Sequence, residues 1–242
     1  PQHWREDNQP WFMLSDDGGH QWTEPFQFPK CNFVSVFGEP NYTIRDDGTY
    51  LATMPVIQDD HEEGQYRPAV FASFDGASTW SFLSFVGDER PYGMIHPYPL
   101  ALPDGRILVA VRTNQVAHSA WVEIYESTDG GRTWSRLARP NDAGAPATLT
   151  LLNDGRLLLV YGYRRPSYGV RCRVSDDGGA SWGREWIVRD GGGSVDLGYP
   201  RTVQLPDGDM VTTYYFNERQ QDISLQGTGV RYIAATKFTP PR

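Results

Sequence analysis

The chain has 242 residues, of which 39% are hydrophobic, 21% charged and 13% aromatic, and its formal net charge is −8. This length and apolar content provide a real core for one large domain or two small ones, and they exclude a disordered or collagen-like chain. The longest apolar runs fall far short of the roughly 20 residues of a membrane-spanning helix. An acidic chain with interspersed charges is also a poor partner for nucleic acid.

The cysteines and histidines predict neither a cofactor nor a metal site. Cys31 and Cys172 form neither a disulfide framework nor a CxxC pair, so we expect two ordinary thiols. None of the five histidines is spaced as a paired zinc ligand. We therefore expect no metal ion and no cofactor.

The first repeated element is an eight-residue segment with the pattern SxDxGxxW or a near variant. It occurs as SDDGGHQW from Ser15, SFDGASTW from Ser73, STDGGRTW from Ser127 and SDDGGASW from Ser175. Ser and Asp side chains can bond nearby backbone N–H groups, and the glycine accepts a left-handed conformation, so each segment is predicted to be a folded turn between strands. The final tryptophans are assigned to the core: Trp22, Trp80, Trp134 and Trp182.

The second repeated element is an Asp-Gly pair between two short apolar runs. It occurs at Asp47, Asp104, Asp154 and Asp207, interleaved with the first element, and both recur at spacings of 48 to 58 residues. An Asp-Gly pair between β-branched or aromatic runs predicts a tight hairpin with positive φ at the turn. The repeat unit is therefore four antiparallel strands, which is typical of a β-propeller blade.

Three whole repeats cover residues 42–86, 98–137 and 148–188, with a partial repeat at each end of the chain. The fold class is therefore all-β, a propeller with four to five blades in one domain over residues 1–242. The two partial repeats could pair to close a small ring, or the chain could be the C-terminal portion of a larger propeller. Four complete blades are the lower limit of known rings, which favours the larger propeller.

The SxDxGxxW segment is the Asp-box, and the chain resembles the sialidase (neuraminidase) superfamily of six-bladed propellers. The resemblance covers essentially the whole chain and corresponds to the last four or so blades. It implies a glycoside hydrolase that removes a terminal acidic sugar, sialic acid or a related one, through a tyrosine nucleophile with retention. The implied partner is thus a carbohydrate with a carboxylate. The boxes themselves are structural, so function must come from the rim.

The rim opposite the boxes is located by counting from the hairpin aspartates. The positions eight residues before these aspartates open the first strands: Glu39, His96, Pro146 and Tyr199. The positions eight residues after them end the second strands: Pro55, Arg112, Gly162 and Tyr215. Because both kinds of turn close the same face, these positions should meet at the opposite mouth of the channel, which is the default binding site.

The resemblance implies roles for several rim residues. In GYPRTVQLPDG, Tyr199 matches the family's nucleophile, and in HPYPLALPDGRILVAVR, Arg112 matches the second arginine of the carboxylate-binding triad. His96 stands where the family has Glu, and Tyr215 where it often has the Glu that orients the first arginine. Arg164 or Arg165 in YGYRRPSYG is the nearest match to the third arginine. The first arginine and the acid/base Asp belong to earlier blades.

Chemistry explains why these residue types suit an acidic sugar. Arginines clamp a carboxylate bidentately, and a tyrosine nucleophile, neutral until deprotonated, is not repelled by it. A tyrosine needs a neighbouring base, and His96 could accept the Tyr199 proton. Glu39 and Arg67 are similarly placed and are further candidates for substrate binding. The loop acids on this face could lend a general acid: Asp59, Asp60, Glu62 and Glu63.

Two other functions stay open on the same residues. A tyrosine and a histidine beside arginines also fit β-elimination by a polysaccharide lyase acting on uronates. A propeller without a complete catalytic set could instead bind glycans or proteins without turnover. Each rim residue also has a structural interpretation, with Tyr199 as a packed aromatic, His96 as a strand cap and Arg112 as a solvated strand end.

Overall fold

A computed structural model describes residues 9–58, 66–88, 93–113, 119–218 and 230–241. These residues form antiparallel strands and contain no α-helix. It follows that the described chain has no helical segment of the length and apolarity needed to cross a membrane.

The strands form one two-stranded ribbon and four blades. The ribbon is β1 (Trp11–Phe12) and β2 (Phe26–Gln27). Blade 1 contains β3 (Ser35–Val36), β4 (Asn41–Ile44), β5 (Tyr50–Ile57), β6 (Arg67–Ser73) and β7 (Ser81–Phe85). Blade 2 contains β8 (Met94–Ala101), β9 (Ile107–Thr113), β10 (Trp121–Ser127) and β11 (Ser135–Ala138). Blade 3 contains β12 (Ala147–Leu151), β13 (Leu157–Tyr163), β14 (Tyr168–Ser175) and β15 (Trp186–Gly192). Blade 4 contains β16 (Gly198–Gln204), β17 (Met210–Glu218) and β18 (Val230–Phe238).

Each blade is an antiparallel meander, and the blades are arranged as a β-propeller. Blades 2 and 3 are four-stranded in chain order, whereas blade 4 has three strands. In blade 1, β3 and β4 both pair with β5, at opposite ends of that long strand. The first strands β4, β8, β12 and β16 are neighbours around the channel. The prediction of an all-β propeller from the two repeated elements is therefore confirmed.

The four Asp-boxes share one hydrogen-bond pattern. In each box the serine Oγ donates to the aspartate and accepts from the N–H four residues after the serine, and the tryptophan Nε1 donates to that residue's carbonyl oxygen. In the second box, hydrogen bonds from Thr79 and from Ser73 lower the pKa of Asp75 to about 2. The boxes are therefore self-contained turns, and their carboxylates accept the hydrogen bonds that hold each turn together.

The core lies between blades. One buried cluster joins the ribbon to blade 1, and three more join successive blades in pairs. Trp80, Trp134 and Trp182 pack against three of these clusters, as predicted from the sequence. The assignment of Trp22 to the core is wrong, because 56% of this residue is exposed. A box tryptophan packs between its own blade and the preceding one, and the described residues supply no preceding blade for Trp22.

The Asp-Gly hairpins lie on the same face as the boxes. Their glycines have φ between 81° and 88°: Gly48, Gly105, Gly155 and Gly208. Arg106, next to the blade 2 hairpin, donates from Nη1 to the carbonyl oxygen of Gly178 in the blade 3 box, at 3.2 Å. Because strand direction alternates, the opposite face carries the starts of the first strands and the ends of the second strands.

Candidate functional site

Two first strands carry the same backbone irregularity on the face opposite the boxes. The register of β8 shifts between Ile95 and Tyr98, and that of β16 shifts between Gly198 and Arg201. Within these bulges His96 has φ 51° and Tyr199 has φ 52°. A left-handed conformation costs a non-glycine residue on the order of 1–3 kcal/mol, and such strain clusters at functional sites. The matching bulges mark the channel mouth as the candidate site.

His96 and Tyr199 are in direct contact. The Tyr199 hydroxyl lies 3.2 Å from Nε2 of His96, and the two rings meet edge to face with centroids 5.0 Å apart. If the hydroxyl donates to Nε2, the imidazole carries its proton on Nδ1. That Nδ1 atom is buried and has no hydrogen-bond partner among the described residues. The pair therefore has one mutual hydrogen bond and one polar atom left for a ligand or water.

Arg112 is the first cation of the site. It lies near the end of β9, paired with Ile95 beside His96, and it is only 6% exposed. Burial and the nearby Arg164 lower the pKa of Arg112 to about 10, while a hydrogen bond with Tyr199 acts in the opposite direction. The guanidinium is thus charged at neutral pH and lies against the Tyr199 hydroxyl.

Arg164 is the second cation. It follows β13, is 6% exposed, and its guanidinium carbon lies 5.5 Å from the centre of the Tyr199 ring. Its Nε and Nη2 atoms are buried without a hydrogen-bond partner in the described part of the chain. A buried guanidinium with free donors is costly unless a ligand or water pairs with it. Arg164 is therefore the strongest indication of an anion-binding position.

The loop that carries Arg164 is anchored by a separate network. Asp190 Oδ1 accepts hydrogen bonds from Ser167 Oγ and from Arg171 Nη2, both at 2.8 Å. Arg171 Nη2 also donates to the Ser167 carbonyl oxygen at 3.2 Å, and the Arg171 side chain is 5% exposed. These bonds tie the loop to β14 and β15, so they orient Arg164 without touching the site.

The electrostatic environment keeps His96 neutral. Burial, followed by the positive charges of Arg112, Arg164 and Arg201, lowers the pKa of His96 to about 3. A protonated imidazole would be a further cation among three guanidiniums, and a bound anion would relieve that repulsion. At neutral pH the imidazole is therefore uncharged and only weakly basic, and a bound anion would raise its pKa and strengthen it as a base.

Tyr215 extends the cluster behind Tyr199. The two rings lie 5.6 Å apart, and the Tyr215 hydroxyl donates to Asp196 Oδ1. Burial and this hydrogen bond raise the pKa of Tyr215, so it stays protonated. Asp196 also forms an ion pair with Arg231. Where the family often has a glutamate, this chain thus has a tyrosine bonded to an aspartate from the preceding loop.

The structure brings together His96, Arg112, Arg164 and Tyr199, whereas Arg165 and Arg67 lie outside this cluster. Arg165 is exposed and donates to the Asp142 carbonyl oxygen at 3.5 Å, so of the two adjacent arginines only Arg164 joins the cluster.

Arg67 and Glu39 lie on either side of blade 1. Arg67 packs over the Phe85 ring at 3.9 Å and donates to the Gly87 carbonyl oxygen, which places it beside the outer strand β7 and away from the channel. Glu39 faces the channel and accepts a hydrogen bond from Arg201 at 3.2 Å. The loop acids named in the sequence analysis fall within residues 59–65, outside the described residues.

Arg201 and Asp196 were missed by the sequence analysis. Arg201 lies two residues after Tyr199 in the same quoted segment, but the bulge between Gly198 and Arg201 interrupts strand alternation, so the spacing alone did not indicate its direction. Asp196 lies in a loop that no repeat spacing marks. Among the described residues, no cluster of three or more His, Cys, Asp or Glu side chains could hold a metal ion.

Comparison with solved structures finds the same fold at low identity. A protein of unknown function from Dyadobacter fermentans DSM 18053 is 25% identical with a TM-score of 0.78, over 94% of this chain and 66% of that one. The Penicillium chrysogenum alpha-L-arabinanase is 21% identical with a TM-score of 0.62, over 85% and 63%. A Hadza microbial sialidase is 19% identical with a TM-score of 0.63, over 85% and 41%.

This chain thus spans 66%, 63% and 41% of the length of these three structures. Comparison with curated proteins found no match. A family model described as a BNR repeat-like domain matches residues 1–212. The chain therefore belongs to the BNR repeat-like domain family.

Proposed function

We propose that this propeller is a retaining glycoside hydrolase that removes a terminal acidic sugar from glycans. One observation carries the proposal: Tyr199, whose hydroxyl is hydrogen-bonded to the neutral imidazole of His96, is in contact with two buried guanidiniums, Arg112 at its hydroxyl and Arg164 over its ring. Tyr199 is the nucleophile, and His96 is its general base.

The two arginines are suited to the substrate carboxylate. Arg164 has two buried donors without a partner among the described residues, and Arg112 forms a hydrogen bond with Tyr199. A carboxylate held by these guanidiniums would place the adjacent anomeric carbon next to that hydroxyl. The same carboxylate would offset the positive field at His96 and so make the imidazole a stronger base when substrate is bound.

The first step forms a bond between Tyr199 Oη and the anomeric carbon as the glycosidic C–O bond breaks. The Tyr199 proton passes to Nε2 of His96, and the departing oxygen takes a proton from solvent. In the second step water attacks the anomeric carbon, the tyrosyl C–O bond breaks, Tyr199 regains its proton from His96, and the water proton leaves to solvent. Two displacements at one carbon retain its configuration.

The comparisons support a glycan-directed site without naming the sugar. Two of the similar structures are named as a sialidase and an arabinanase, both of which act on carbohydrate. Arabinose carries no carboxylate, so the preference for an acidic sugar rests on Arg112 and Arg164 in this chain. The shared architecture alone does not give a substrate.

The test is release of the fluorophore from 4-methylumbelliferyl N-acetylneuraminic acid. We expect turnover by the protein and none by Tyr199→Phe, which removes one hydroxyl and leaves the ring packing intact. A circular dichroism spectrum and an unfolding midpoint control for the fold. Binding of the acidic sugar without turnover would replace hydrolysis by a glycan-binding role.

The hydrogen bond between His96 and Tyr199 favours a second candidate, a lyase acting on uronate polysaccharides. There a base removes the proton on the carbon next to the carboxylate, the C–O bond to the leaving sugar breaks, and a carbon–carbon double bond forms. Ultraviolet absorbance of the unsaturated uronate, measured on a uronate polysaccharide, distinguishes this reaction from hydrolysis.

A further inference from the structure

A second set of polar side chains joins blade 4 to blades 1 and 2. Arg201 of β16 donates from Nη2 to Asn41 Oδ1 at 2.9 Å and to Glu39 Oε2 at 3.2 Å. Asn41 in turn donates from Nδ2 to the carbonyl oxygen of Pro97 at 2.9 Å. This array, formed by Glu39, Asn41 and Arg201, links blades 4, 1 and 2 across the channel.

The array lies close to the reacting pair. Glu39, His96 and Tyr199 each lie eight residues before the hairpin aspartate of their blade, and Asn41 and Arg201 lie two residues after Glu39 and Tyr199. The charge of Arg201 acts on His96, which confirms that the two are near each other. A sugar that contacts Tyr199 therefore has the array on its blade 1 side and the buried arginines on its blade 2 and blade 3 side.

The array differs from the arginine pair in charge and in exposure. Arg201 and Glu39 neutralise each other, and their side chains are 44% and 48% exposed. Glu39 receives one hydrogen bond from a described side chain, although a carboxylate has about four acceptor positions. Asn41 is buried beneath them, so the exposed part of the array is the neutral pair of Arg201 donors and Glu39 acceptors, suited to groups that both donate and accept.

We propose that Glu39 and Arg201, held in place by Asn41, bind the hydroxyl groups of the sugar whose carboxylate is held by Arg112 and Arg164. A hydroxyl can donate to Glu39 while a neighbouring hydroxyl accepts from Arg201. The inference rests on the proposed function and adds an orientation to it: carboxylate toward blades 2 and 3, hydroxyls toward blade 1, and the anomeric carbon at Tyr199. Glu39 and Arg201 are then specificity residues that distinguish sugars by their hydroxyls.

The test compares two carboxylate probes that differ in hydroxyls. N-acetylneuraminic acid carries ring and side-chain hydroxyls, whereas tetrahydropyran-2-carboxylic acid has the ring and the carboxylate alone. We expect Glu39→Gln to weaken binding of N-acetylneuraminic acid by about tenfold, because a hydrogen bond to a charged group contributes at least that factor. Binding of tetrahydropyran-2-carboxylic acid should be unchanged. Titrations followed by NMR of the protein give both affinities.

A matched control is Asp207→Asn, which breaks an exposed ion pair with Lys237 on the box face and should change neither affinity. Equal weakening of both probes by Glu39→Gln, or no change in either, would overturn the inference. Failure of the unaltered protein to bind N-acetylneuraminic acid would instead overturn the proposed function. Because Glu39→Gln is an exposed and isosteric change, the variant should stay folded, and its unfolding midpoint checks this.

Discussion

Gly162 at the end of β13 and Gly198 at the start of β16 meet backbone to backbone. A Cβ atom at Gly198 would lie 2.9 Å from the Cα of Gly162, and one at Gly162 would lie 3.0 Å from the Cα of Gly198. This contact brings the residues that follow, Arg164 and Tyr199, next to each other at the channel mouth. Two glycines thus determine how close the proposed nucleophile lies to the proposed carboxylate-binding arginine.

Gly198→Ala should therefore destabilise the protein and disturb the site. Gly198 has φ +112°, where a side chain is strained, and its added Cβ would force blades 3 and 4 apart. We expect strain and the backbone clash to lower the free energy of unfolding by about 2 kcal/mol or more, measured by urea unfolding. The control is Gly48→Ala, where φ is +81° but open space surrounds the new methyl group. Equal losses in the two variants would show that the glycine contact is not tight.

Arg164→Ala and Arg165→Ala form a matched pair within one loop. Arg164 is buried beside Tyr199, whereas Arg165 is exposed and bonded to a backbone carbonyl. We expect Arg164→Ala to weaken binding of N-acetylneuraminic acid by roughly tenfold to a hundredfold, in line with loss of a buried charge-assisted hydrogen bond. Arg165→Ala should leave the affinity unchanged. Titration of both variants with N-acetylneuraminic acid, at one pH and salt concentration, measures the two affinities. A larger loss of affinity in Arg165→Ala than in Arg164→Ala would reject Arg164 as the carboxylate-binding arginine.

The sequence was most informative where the repeats apply. The boxes at Ser73, Ser127 and Ser175 and the hairpins between them predicted the strands of blades 1 to 3, because each turn has a backbone requirement that only certain residues meet. His96 and Tyr199 both lie eight residues before a hairpin aspartate, and this equal spacing placed them at the same level along the channel, since each blade repeats the same strand lengths.

Contacts between side chains from different blades could not be predicted from the sequence. The spacing could not choose between Arg164 and Arg165, because the loop between β13 and β14 has no fixed period and its direction depends on Asp190 and Arg171. The exposure of Trp22 was missed for a related reason: a repeat predicts the turn but not whether a neighbouring blade covers it.

The titration of His96 should report both folding and ligand binding. Its pKa is lowered to about 3 in the folded protein, against about 6.5 for an unfolded histidine. Between these values the unfolded chain takes up a proton that the folded protein does not, so this residue makes stability fall as pH drops from about 6.5 toward 3. NMR of labelled histidine should show a neutral imidazole at pH 5, and N-acetylneuraminic acid should raise its pKa. A free-protein pKa near 6.5 would contradict the buried, cation-surrounded site.

His96→Glu distinguishes the two candidate reactions, because it places the family's carboxylate base where this chain has an imidazole. A glutamate there would pair with Arg112 and Arg164 and accept the Tyr199 proton, so hydrolysis of the fluorogenic sialoside should be preserved or increased. A lyase that depends on the imidazole for proton transfer should instead lose its activity. His96→Gln is the control, since it retains polarity without a base and should lower either activity by roughly a hundredfold or more. If His96→Glu, His96→Gln and Tyr199→Phe all leave the natural activity intact, the reaction takes place elsewhere and the assigned roles are wrong.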